Sequence, residues 1–391
     1  MLGASLAPSW AANFGTVVPI NGTVSDVALD ERRNVVWAAN FSAFRVEQVS
    51  IASQTLLTPL TVPMPPSTVA LSPNHRFLVV GEYQKPDPTE LSTNPFAPGT
   101  GGYTLFDLDA NLRYDVNLNA PVLSVAFGAD NNAIILTRIP VPADPANPGP
   151  LTNLFQLQPF PVPTLIPITS IPVQSVDLPT PLAKFPTQIG QATSGVSGDG
   201  NSIVILAASV NDPSASSNTS LLIHYNVATQ TAYAEEFHQS PPAGPRSVAV
   251  DQNAMNILTD WGLQHYLPTG DSYLLAEFPR PNGAFNIGSH AWDLTRNLIY
   301  AQVPTPDDTS VLHIMDIDNL TVRERLQMTE DLSGKSQMST DGQLMISASV
   351  SGVTILPVGQ LPNTAQIGAG QEAYLFAADA CNRLTLSQTI S

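Results

Sequence analysis

The chain has a single cysteine, Cys381, in 391 residues, so no disulfide can form within it and no multi-cysteine metal site exists. Lysine is nearly as scarce, with Lys85, Lys184 and Lys335 the full set, and charged residues make up only 12%. That is about half the ordinary share. The charge that is present is mostly acidic, for a formal net value of -17. Such a surface repels phosphate backbones and anionic bilayers, which argues against nucleic acid as a partner. No stretch reaches the roughly 18 apolar residues of a membrane span. The first residues lack both a basic region and an adequate apolar core, so they do not read as a signal peptide. Long helices are missing as well, since no segment sustains a 3.6-residue period.

What the chain does have is proline, 36 residues of it, set between short apolar runs in a chain that is 43% hydrophobic. This combination predicts an all-β protein with many loops. Val27 to Val62 shows the unit most plainly. Four apolar-alternating runs are divided by polar turns, the first turn being Asp30-Glu31-Arg32-Arg33-Asn34. Alternation at period two is the mark of an antiparallel meander.

The first half of that unit, a strand, a turn of Asp, Asn, Gly or Ser, then a strongly apolar strand, occurs seven times. The copies begin at residues 27, 69, 125, 194, 248, 291 and 338. Repeats at this spacing are the signature of a propeller or solenoid. Third and fourth strands follow in most copies, but the seventh runs out after its third, Gly352 to Val358. An additional strand, Phe14 to Ile20, precedes the first copy. The economical arrangement is a seven-bladed β-propeller over residues 14–360, with the N-terminal strand closing the last blade so that no raw sheet edges remain at the seam.

The strand–turn–strand unit resembles the YVTN family of β-propellers, relatives of the WD40 and lactonase-type rings. Its tetrapeptide is represented loosely by Val36-Trp37-Ala38-Ala39-Asn40, and the WD dipeptide at the blade end is absent. The resemblance implies a fold, and folds of this kind host enzymes and binding modules alike. Residues 361–391 depart from the repeat and are expected to form two strands that open a truncated Ig-like domain, the alternative being that they dock on the ring.

The long insertions, Lys85–Gly101, Pro140–Thr152, Asn211–Ser220 and Pro304–Thr309, all fall between second and third strands, and the connection Pro172–Pro186 opens on the same side. Insertions gathered on one side of a repeat ring mark it as the expected binding face. Residues ending the second strands point there: Glu82, Tyr83, Arg138, Asp260, Trp261 and Gln302 are the candidate binding residues. Asp260-Trp261 is the most suggestive of them, pairing a carboxylate with a flat aromatic surface suited to a sugar or peptide. No catalytic residue, metal-ligand spacing or cofactor motif is present, and none of the six histidines pairs at a ligand spacing with another. The expectation is a monomeric, secreted or cell-surface bacterial ring that binds protein or carbohydrate. The alternative is a lactonase- or lyase-like enzyme with a metal in the central channel.

Overall fold

The computed structural model describes residues 13–85, 87–89, 99–138, 152–168, 173–175, 189–209, 220–237, 247–259, 262–266, 272–277, 289–302, 310–361, 373–378 and 384–390. These form a seven-bladed β-propeller. The innermost strands of successive blades are Val24–Asp30, Pro66–Leu71, Val122–Phe127, Ile189–Val196, Ala249–Val250, His290–Asp293 and Leu332–Met338. Each packs beside the next, and the seventh packs beside the first. Every blade is built outward from its inner strand by antiparallel pairing, with one parallel strand added at the outer edge of blade four.

The core follows from that layout. A blade has apolar residues on both faces, so each face needs a neighbour, and the buried side chains divide into seven clusters, one at each junction. Ala28, Trp37 and Val46 of blade one meet Val69, Val80 and Phe106 of blade two. At the seam, Val27, Leu29 and Val36 of blade one meet Ile346, Val353 and Ile355 of blade seven, together with Val18 and Ile20 from the N-terminus. Val18 lies in Thr16–Pro19, which pairs antiparallel with Gly352–Leu356 as the outermost strand of blade seven, Val18 opposite Val353. Ile20 N–H donates to the Ser351 carbonyl at 2.9 Å, which puts Pro19 at a position whose nitrogen points away from the sheet. Proline is therefore tolerated there. Gly352 is needed at this crossing, because a Cβ would collide with the Val18 carbonyl.

The seven turns between first and second strands share one geometric feature. Asn34, His75, Asn131, Gly200, Ala254, Asn297 and Gly342 each adopt a left-handed backbone, with φ between 54° and 70°. Asn and Gly take this conformation at little cost, which explains why those residues recur in the repeat. The turns also lock to one another around the ring. Asn74 N–H donates to Asn131 Oδ1, Ala129 N–H to the Gly200 carbonyl, Gly198 N–H to the Asp251 carbonyl, and Thr340 N–H to Glu31 Oε1. Between blades one and two the link is ionic. Buried Asp30 accepts from Arg33 Nη1 at 2.9 Å and Trp37 Nε1 at 3.3 Å, and it pairs with His75 Nδ1 at 3.1 Å.

Three features differ from the sequence-based expectation. The fourth strand of blade one, expected to run from Leu56 to Val62, is two short pieces, Thr55–Leu56 and Leu60–Thr61, both against Arg45–Ser50. Pro59 interrupts the ladder between them. Blade four gains a fifth strand, Val173–Ser175, which runs parallel to Thr231–Phe237 from within the proline-rich connection. In blade three the outer strands, expected at Phe155–Phe160 and Leu165–Ile171, are Thr152–Gln158 and Thr164–Ile168, and the outermost contains Pro167 as an edge strand can. Beyond the ring, Ala373–Ala378 and Leu384–Ile390 form an antiparallel hairpin in a sheet of their own.

Candidate functional site

The side of the ring carrying the second-to-third loops is where the candidate residues fall. Most of the inserted segments, together with Asp260 and Trp261, lie outside the described residues, and Arg138 is described only as the end of the strand Ala133–Arg138. The other three have separate surroundings. Tyr83, near the end of Phe77–Gln84, is half-buried. Its ring centroid lies 6.4 Å from that of Phe41, tilted by 50°. Phe41 belongs to a one-turn 3-10 segment, Phe41–Ala43, that joins the second and third strands of blade one. The next residue, Phe44, closes the turn in a left-handed backbone at φ 55° and leaves its side chain 48% exposed. A phenylalanine in that region is strained by its Cβ, at a cost of roughly 1 kcal/mol or more. Phe41 and Phe44 were not singled out in the sequence, where Asn40-Phe41-Ser42-Ala43-Phe44 reads as an ordinary connection.

Gln302 is buried and structural. Its Nε2 donates to Asp331 Oδ1 at 2.6 Å, and its Oε1 accepts from Leu332 N–H at 2.7 Å. It thereby pins the connection from blade six into blade seven, and Ser310 adds a 2.8 Å bond to the same Asp331 oxygen.

Glu82 is buried between blades one and two and does not open on the loop side. The physical reason is that second strands are covered on both faces, so a polar residue near their ends faces a neighbouring blade. The Thr104 hydroxyl lies 2.5 Å from Glu82 Oε1 and 2.8 Å from Asp115 Oδ1. A hydroxyl has one proton and cannot donate to two carboxylates at once. The arrangement is satisfied when Glu82 is protonated and donates to Thr104, which then donates to Asp115. Burial, with Asp115 nearby, pushes the Glu82 carboxyl up to about 7, against the opposing bond from Thr104. Asp115 is itself held low: burial raises it, but the hydrogen bonds from Arg113 and Thr104 outweigh that.

Two histidines shift the other way. Burial brings His224 down to about 4, and burial with the Arg325 charge does the same to His313. Between pH 5 and 6 the native state therefore holds one proton, on Glu82, that the unfolded chain has lost. The unfolded chain holds two, on His224 and His313, that the native state excludes. These three groups together make stability rise with pH by the difference, one proton or about 1.4 kcal/mol per pH unit. Glu82→Gln removes the opposing contribution, so the slope should steepen by about 1.4 kcal/mol per unit. Denaturant titrations at pH 5.0, 5.5 and 6.0 check this, and an unchanged slope would remove Glu82 from the account.

On the inner strands, Thr68, Ser124, Thr193, Ser247 and Ser289 occupy equivalent, buried positions in blades two to six. Asp26, the equivalent in blade one, accepts from Thr68 Oγ1 at 2.7 Å and Val69 N–H at 2.9 Å, and it lies 3.7 Å from Lys335 Nζ in blade seven. Among the described residues no group of three or more His, Cys, Asp or Glu converges in a way that could hold a metal ion. No helix among them is long and apolar enough to cross a membrane.

Comparison with known proteins places the shape and no more. No protein-family model matches the sequence, and no curated protein does. Hydrazine synthase of Kuenenia stuttgartiensis is similar in structure over 91% of this chain and 99% of its own, at TM-score 0.57 and 12% identity. The β-propeller domain of Cps50 (Swd1) from Myceliophteria thermophila is similar over 89% of this chain and 100% of its own, at TM-score 0.56 and 12% identity. Likeness at this level of identity to proteins so different from one another establishes a β-propeller fold for this chain.

Proposed function

We propose that this propeller is a secreted or cell-surface binding module, akin to the YVTN-type rings, that takes a protein or carbohydrate ligand on its loop side. The observation that carries the reading is the aromatic group Phe41, Phe44 and Tyr83. The Phe44 ring is half-exposed on a strained backbone, and Phe41, from the same turn, packs against Tyr83. Flat apolar surfaces with a polar rim suit sugar faces and peptide side chains. The turn side contrasts with it, because many of its polar groups are engaged in holding turn to turn. Scarce lysine with abundant serine, threonine, asparagine and proline supports the extracellular setting.

Glycan and peptide arrays probed with the full chain test this. Phe44→Asn removes the ring while keeping a residue that accepts the left-handed backbone. It should weaken whatever binding is found by roughly tenfold or more, as should Tyr83→Ser. Met255→Ser, an exposed change on the turn side, should leave binding unaltered. Binding that follows Met255 and ignores both aromatic changes would overturn the assignment.

A further inference from the structure

A propeller ends each blade in an outermost strand whose free backbone edge can pair with another chain, and natural sheets usually blunt such edges. Six of the seven blades here offer a poor edge. Blade one's outer strand is broken into two pieces, blade three's contains Pro167, and blade four's is covered by Val173–Ser175. Blade seven's is only Thr16–Pro19 and ends in proline. Blade six's, Val322–Gln327, has two arginines to one glutamate, so two copies repel. Blade five's, Ser272–Glu277, carries a charge only at its last residue and has nothing ionic to fix a register.

Blade two is different. Its outermost strand, Leu112–Asn117, reads Leu-Arg-Tyr-Asp-Val-Asn, is net neutral and contains no proline. Five of its residues, Leu112 to Asp115 and Asn117, are exposed, with Leu112 at 49% and Tyr114 at 38%. Its inner side pairs with Thr100–Asp107 over all six residues, so it is a straight, ordered edge. Arg113 and Asp115 lie on the face toward Thr104 and Phe106, and Leu112 and Tyr114 lie on the opposite face. Laid antiparallel against a second copy with Tyr114 at the two-fold axis, Arg113 stands opposite Asp115 and Asp115 opposite Arg113. Leu112 then stands opposite Val116, and Tyr114 opposite Tyr114. The strand is therefore its own complement in charge and in apolar face. On the outer turn of blade three Phe160 and Val162 are also exposed, and Arg76 of blade two sits 5.2 Å over the Phe160 ring.

We infer that the protein self-associates as a two-fold dimer by edge-to-edge pairing of Leu112–Asn117 between two copies, joining both second blades into one eight-stranded sheet. This replaces the expectation of a monomeric ring. An isologous contact is the usual form of a homodimer, and opposite charges across an antiparallel pair favour this register over its neighbours. One six-residue edge is a small interface, so the dimer should be weak, with a dissociation constant on the order of micromolar.

Sedimentation equilibrium of the full chain over a wide concentration range tests it. The wild type should dimerise reversibly, and Tyr114→Lys, which opposes two ammonium groups at the axis, should weaken association by about tenfold or more. Its side chain is exposed in the single ring, so its melting temperature should stay near wild type. Arg113→Asp should also weaken the dimer, and the exchange Arg113→Asp with Asp115→Arg should restore it, because the swapped strand is again its own complement. A wild type that stays monomeric throughout, or a dimer indifferent to Tyr114→Lys, would overturn the inference. So would a charge exchange that, while folded, fails to restore association.

Discussion

Removing residues 1–20 should lower the melting temperature by on the order of 10 °C, because it strips the outermost strand from blade seven and opens the ring at its seam. The loss can be counted from the side chains. Val18 and Ile20 are both buried in the cluster that joins blade seven to blade one. Burial of each contributes about 1.5–3 kcal/mol, and the ladder to Gly352–Leu356 goes with them. The exposed edge of Gly352–Leu356 would then invite association, so aggregation on heating should appear as well. A synthetic peptide of residues 13–21 added in excess should recover part of the loss. Calorimetry of the truncated chain with and without the peptide checks both results, and an unaltered melting temperature would mean the strand is dispensable.

Asp30→Ala should cost roughly 2–3 kcal/mol, the range for removing a buried charged acceptor and leaving a donor unsatisfied. Asp30 is 0% exposed and holds Arg33, His75 and Trp37 together across the first junction. Without it, the indole N–H loses its acceptor, while Arg33 keeps Asp109 at 2.6 Å and the His75 carbonyl at 2.5 Å. Asp30→Asn keeps the shape and one acceptor oxygen, so its cost should be clearly smaller. Asp293 occupies the same place in blade six, where it binds Arg296 at 3.3 Å while Arg296 reaches the Val358 carbonyl at 3.2 Å. Asp293→Ala should therefore resemble Asp30→Ala. Urea unfolding of the three variants measures the series, and a cost below about 1 kcal/mol for Asp30→Ala would place that cluster among ordinary surface pairs.

The parts of this fold that were legible in the sequence are the parts built locally. Each first-to-second turn needs a left-handed residue next to polar side chains that cap the turn, and Asn34, Asn131, Gly200, Asn297 and Gly342 announce it. His75 and Ala254 hold the same place with no such signal, and there the repeat was carried by the apolar strands on either side. The fifth strand of blade four depends on Val173 meeting Ala234, some sixty residues away, and nothing near either residue encodes the meeting. Glu82 illustrates a different failure. A glutamate near a strand end reads as a surface residue, yet Phe77–Gln84 is sandwiched between blades almost to its end, so its environment is set by Thr104 and Asp115. Tyr83, one residue on, is half-buried, and its partner Phe41 comes from the neighbouring blade and was invisible until the ring was assembled.

The ring closure on which both the fold and the loop-side surface rest can be tested by one crosslink. Val17 stands opposite Thr354, one step from the bonded pair Val18 and Val353. Positions of that kind bring Cβ atoms close enough for a disulfide. With Cys381 replaced by Ser, Val17→Cys with Thr354→Cys should oxidise readily in the folded protein and raise its stability by roughly 2–4 kcal/mol. Val17→Cys with Ile355→Cys, whose side chains point to opposite faces, should not. A first pair that stays reduced in the folded protein, or a second that closes equally well, would contradict the closure of blade seven by the N-terminal strand.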